Sequence, residues 1–203
     1  MIPVTPHPEP PDFDENCRSK GRRWLTQHPG YKDRPADFWS PFEPQVRTMF
    51  RDLCGWSAMT LSRGQIDHFF PVAEAKKTNQ DHLAYEWSNF RYSDGWINQK
   101  KLSATVLDPF LVGAGWFRIL IPSLQLVATE KIPAQYREVA QFTLKRLGLT
   151  DSEVIVRYRD VWFQLYRRRR LDLEGLREVA PLIAEAVERD LGNGKDHRIV
   201  QQP

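Results

Sequence analysis

Three short stretches of this chain hold side chains that could do chemistry together. In GQIDHFFP, residues 64–71, Asp67 and His68 stand side by side near the end of an apolar run. A buried charge there is costly unless it is paired or bound to a metal. Downstream, YEWSNFRYS (85–93) carries Asn89 and Arg91, and GWINQKK (95–101) carries Asn98, Lys100 and Lys101. The Asp67 carboxylate and the Asn98 amide oxygen are hard ligands of the kind that suit Mg²⁺ or Mn²⁺. A histidine with an ordinary pKa of about 6.5 suits a general base at neutral pH. The basic side chains could hold an anion by charge. An Asp-His pair alone is an ordinary core or surface pair. The further residues at their spacings set this one apart.

Taken together, Asp67-His68, Pro71, Asn89-Phe90 and Asn98-x-x-Lys101 resemble the HNH nuclease family, whose motif is a ββα metal finger. The resemblance is strongest over residues 50–110. It implies an α+β fold and metal-dependent hydrolysis of nucleic-acid phosphodiester bonds, with DNA the first choice of substrate. In that reading His68 is the general base and Asn89 orients its ring. Asp67 and Asn98 hold a divalent metal, Mg²⁺ or Mn²⁺, and Arg91, Lys100 and Lys101 contact the phosphate. Asp94 and Ile97 stand where zinc-bearing relatives have two cysteines, and the upstream cysteine pair is reduced to Cys54 and Ser57 in CGWS. A structural zinc is therefore not expected. Asn in place of His at position 98 is similar to the HNH domain of RNA-guided DNA nucleases. LDPF at 107–110 also looks like bacterial HNH proteins of the retron-associated type, which implies a role in anti-phage defence and an ATPase partner. The alternative is a catalytically weak HNH-like subunit that binds DNA or protein within a larger complex.

The elements must place these residues. GQIDHFF reads as a strand, 72–82 as a polar loop, LAYEWSNFRY as strand or packed loop, and a short helix starts near Asp94. Adjacent strand residues point to opposite faces, so Asp67 and His68 share one site only if the strand ends or distorts there. Near a strand end, His68 should carry little packing. Before this core, residues 1–16 read as an extended arm. Residues 17–42 read as aromatics among turn residues, docked by Trp24, Phe38, Trp39 and Phe42. A helix is expected from Pro44 to about Leu53, with Gly55 as its stop. After the core, 115–129 has strand composition with a bend at Pro122-Ser123. A helix follows from Pro133 to about Leu147, stopped by Gly148. The next is opened by a Thr150/Glu153 capping box, with Val154, Ile155, Tyr158, Val161, Trp162, Leu165 and Tyr166 as its apolar face. The last, about 172–190, is kinked or split at Pro181. The organisation expected is an arm and docking segment (1–42), an HNH-like core with following strands (43–130) and a C-terminal helical part of the same domain (131–203).

Composition limits the function classes. The 203 residues are 41% hydrophobic and 12% aromatic, so the chain can bury a core and is not a disordered polymer. A net charge of +3 permits a nucleic-acid partner without requiring one. The two cysteines allow one disulfide at most, and reduced thiols in a cytoplasm are the simpler expectation. The first residues have neither a basic nor an apolar signal region, and no apolar run is long enough to span a membrane.

Overall fold

In the computed structural model, which describes residues 1–198, the chain is a mixed α+β protein. The extended arm lies on the domain, burying Met1 and Ile2, and Trp87 Nε1 donates to the His7 carbonyl at 2.9 Å. Phe13 is fully buried, edge-on to Phe42, Trp87 and Phe90 at 4.9–5.7 Å. The docking segment is more regular than its turn residues suggest. A π-helical turn at Asp14–Arg18 leads into α1, Ser19–Gln27. Gly21 is needed there, because a Cβ would sit 2.2 Å from the Tyr85 ring.

Helix α2, Glu43–Met49, has Pro44 in its first turn and buries Val46 and Met49. It ends earlier than expected: Arg51 and Asp52 take left-handed φ values of 54° and 61°, which no helix continues. Strand β1, Gln65–His68, comes next. The polar stretch after it forms a helix, α3, Val72–Lys77, rather than a loop. Ala, Glu and Lys favour helix, and Ala75 is fully buried. Two 3₁₀ turns then lead into β2, Phe90–Ser93. Helix α4, Gly95–Lys101, follows at once, with the Asp94 carboxylate accepting from Trp96 N–H at 2.7 Å.

Strands β1 and β2 form an antiparallel pair in which Asp67 faces Arg91 and His68 faces Phe90. Strands β3, Phe117–Leu120, and β4, Gln125–Ala128, form a second hairpin that turns through Pro122-Ser123. Helix α5, Ala134–Arg146, stops at Gly148, whose φ of 63° suits a residue without Cβ. Helix α6, Glu153–Arg167, begins with Ser152, not Thr150, at the N-cap position. Its buried residues are Ile155, Arg159, Phe163 and Tyr166, while Val154 and Val161 are 55% and 50% exposed. The apolar face is thus rotated from the one its hydrophobic residues suggested. Arg159 is the reason. It is buried and donates to the carbonyls of Leu124, Leu149 and Thr150, tying α6 to the hairpin and to the α5–α6 turn. The chain breaks at Ala180 into α7, Leu173–Val179, and α8, Pro181–Gly192. Helix α8 packs on β3, with Arg189 donating to the Ile119 carbonyl at 2.8 Å. One core runs through all of these elements, from Met1 to Val187. No helix among the described residues is long and apolar enough to cross a membrane.

Candidate functional site

The β1–β2 pair divides the candidate residues between two faces. Asp67, across from Arg91, is on the side of α4; His68, across from Phe90, is on the side of the N-terminal segment. The strand is regular up to its last residue, so the two neighbours diverge as the pleat requires.

On the first face, Asp67 is 3% exposed and Lys101 1%. The Lys101 ammonium donates to Asp67 Oδ1 at 3.1 Å and to the His68 carbonyl at 2.7 Å. Asp67 Oδ2 lies 2.9 Å from the same ammonium, yet no donor is aligned with it. Burial pushes the Asp67 carboxyl up to about 6, against the downward pull of Lys101 and Arg91. Burial likewise draws Lys101 below the ordinary lysine range, opposed by Asp67. Arg91 is also buried. It holds both oxygens of Asp108 at 2.7 and 2.6 Å, donates to the carbonyls of Ser88 and Phe90, and lies 3.7 Å from the centre of the Phe110 ring. Both Arg91 and Lys101 are therefore engaged internally, and a phosphate reaches them only if these pairs open. Lys100 is half-buried over the Trp96 ring at 4.3 Å.

On the second face, His68 is 7% exposed. Its ring sits edge-on to Trp39 at 4.6 Å and to Phe90 at 5.4 Å. Nε2 lies 2.9 Å from the Ala84 carbonyl. A carbonyl only accepts, so Nε2 carries the hydrogen and Nδ1 keeps the lone pair of a base. Burial draws the His68 pKa down to about 4, so the ring is neutral at pH 7. The Ala84 carbonyl thus orients this ring, a role the sequence assigned to Asn89. Asn89 bridges backbone instead. Its Oδ1 accepts from Phe70 N–H at 2.6 Å, and its Nδ2 donates to the carbonyls of Phe70 and Leu83 at 3.1 and 2.9 Å. It pins the end of β1 to the turn before β2.

Asn98 lies one turn before Lys101 on α4. It lines an open cleft of about 670 Å³ with Arg34, Gln65, Pro71, Ala73 and Gln99. Among the described residues no group of three or more His, Cys, Asp or Glu side chains gathers as a metal site. The donors at β1 and α4 are of another kind: a buried Asp67 carboxylate oxygen without an aligned donor, outside that cleft, and Asn98, which lines it. Two hard oxygens of this type fit Mg²⁺ or Mn²⁺, which keep several waters. Lys101 already neutralises the carboxylate, so a cation would compete with it. At the two cysteine-pair positions, Cys54 with Ser57 and Asp94 with Ile97 supply one thiol in all, which does not fit a four-ligand zinc centre.

The sequence did not assign three of these neighbours to the site. Trp39 covers His68, Ala84 orients it, and Asp108 fixes Arg91. Trp39 was legible only as a docking aromatic, Asp108 only as part of LDPF, and Ala84 gave no signal. The remaining motif neighbours are packing groups or surface: Tyr85 and Trp87 are buried, Trp96 is half-buried and His82 is exposed.

No protein-family model matches this chain, and neither a curated protein nor a solved structure matches it.

Proposed function

We propose that the β1–β2–α4 unit is the site of a metal-dependent HNH-type endonuclease acting on nucleic acid, with DNA as the first substrate. The observation that carries this reading is the Asp67 Oδ2, buried without an aligned donor beside Lys101 of α4, the helix whose Asn98, three residues earlier, lines an open cleft. Asp67 and Asn98 would hold the divalent ion, which when bound supplies charge neutralisation for a phosphodiester and an acidified water. His68, neutral with a free Nδ1, would take a proton. For that role the end of β1 has to turn the His68 ring from the Trp39 side of the strand toward the Asp67 side. Lys100, half-buried over Trp96 on α4, would attract the phosphate by charge.

One observation favours a second reading. The Asp67–Lys101 ion pair neutralises the carboxylate with the chain's own cation, and His68 is enclosed. A module of this kind would bind nucleic acid or a partner protein without cutting. Supercoiled plasmid incubated with the purified chain decides between the two. Nicking that needs Mg²⁺ or Mn²⁺, stops with chelator and is lost in Asp67→Ala supports the nuclease. Plasmid left intact under every metal, by protein that still retards it in a gel, supports the binding module.

A further inference from the structure

The nuclease reading concerns the α4 side of β1. A separate cleft of about 460 Å³ lies along the other side of the same strand. It is lined by the segment from Arg34 to Arg47 and by Ser62 to Ile66, with Tyr92 at its floor. Three arginines face it: Arg34, Arg47 and Arg63. Two acids face it as well; neutral donors hold both in place, and both keep their charge. The Asp37 carboxylate accepts from the backbone N–H groups of Trp39 and Ser40 at 3.2 and 2.9 Å and from the Ser40 hydroxyl. Glu43 lies against the Tyr92 hydroxyl. Arg47 is paired with Asp52. Arg34 and Arg63 are exposed and form no ion pair among the described residues. Their charge is therefore available to an incoming anion.

Arg34 also lines the Asn98 cleft. It stands at the junction of the two clefts, with Gln65 of β1 as the other residue they share. Strand β1 pairs with β2 alone. A chain of regularly spaced anions could thus cross β1 at Arg34, with Arg63 on one side and Asn98 on the other. The Ser62 hydroxyl adds a neutral donor along the first part of that track. A single carboxylate or small phosphate would use only one of these groups, whereas a polymer uses all of them.

We propose that the Arg34–Arg63 cleft is a binding track for the phosphodiester backbone of a nucleic acid, continuous through Arg34 with the Asn98 cleft. The inference rests on the nucleic-acid reading above and adds the residues that would hold the strand outside the reacting centre. Backbone contacts of this kind give affinity and register without sequence information.

Binding in chelator tests it without any requirement for cleavage. Affinity of the full chain for a fluorescent duplex DNA, and for RNA of the same sequence, is measured over a series of salt concentrations. Each phosphate contact steepens the fall of log K with log salt by about 0.9 for duplex DNA. The double variant Arg34→Ala/Arg63→Ala should reduce that slope by about 2 and weaken binding at low salt by at least tenfold. The variant Arg168→Ala/Arg169→Ala/Arg170→Ala, at the far end of α6, removes more charge and should change the slope less. If wild type binds and the double variant matches it, or if the α6 variant loses as much, the track is overturned. If wild type binds neither nucleic acid at low salt, the nucleic-acid reading itself fails. A loss confined to one of the two polymers would identify the source of the backbone.

Discussion

Lys101 Nζ lies within 3.1 Å of both Asp67 carboxylate oxygens and 2.7 Å from the His68 carbonyl oxygen. One ammonium on α4 therefore holds the last two residues of β1 and closes the strand–strand–helix unit. The pair is almost wholly buried, so its two members depend on each other. Removing one partner of a buried pair leaves an uncompensated charge, whereas replacing both is much milder.

Lys101→Met should accordingly destabilise the protein by about 3–5 kcal/mol, read as a lower urea midpoint. The double variant Lys101→Met/Asp67→Leu should recover much of that loss. Equal loss in single and double variants would show that Lys101 acts through its stem packing rather than through its charge.

His68→Ala should abolish metal-dependent nicking if His68 is the base. Contrary to its expected light packing near a strand end, it should also cost stability. The ring is enclosed by Trp39 and Phe90 and bonded to Ala84. Loss of a buried ring and of one hydrogen bond amounts to about 3 kcal/mol. A thermal melt of His68→Ala indistinguishable from wild type would contradict this enclosure. Activity comparisons should therefore be made well below the variant's melting temperature.

Asn98→Ala separates a ligand from a structural residue. The cap of α4 is Asp94, not Asn98. Asp94→Ala should thus cost about 1 kcal/mol, while Asn98→Ala should shift stability by less than about 0.5 kcal/mol. If Asn98 is a ligand, its alanine variant needs more Mn²⁺ for half-maximal nicking, and Asn98→His retains activity because imidazole also binds Mn²⁺. An unaltered metal titration for Asn98→Ala would remove it from the site.

The two thiols should be silent in the native protein. Cys17 and Cys54 are both buried and unbonded to each other. Burial pushes the Cys17 thiol up to about 12, which leaves almost no thiolate at neutral pH. A colorimetric disulfide reagent should therefore titrate no thiols natively and two in denaturant. Fast native labelling of either would place it in an accessible region.

Much of the local structure was legible in the residues themselves. The strand at 65–68, the helix opened by Asp94, the hairpin bent at Pro122-Ser123, the stop at Gly148 and the break before Pro181 all follow from rules that act within a few residues. Capping, turn chemistry and the periods of 2 and 3.6 need no distant partner. The alternation of β1 even stated the difficulty for Asp67 and His68 in advance. Tertiary structure alone decided how those side chains are used. Lys101 reaches Asp67 across 34 residues, and Trp39 meets His68 across the fold. Asn89 is spent on backbone groups of a loop whose path its own spacing does not encode. The buried face of α6 is set by Arg159, a charged residue that no hydrophobic pattern places inside. Polar side chains are tolerated in a core only when specific partners meet them, and those partners come together only when the chain folds.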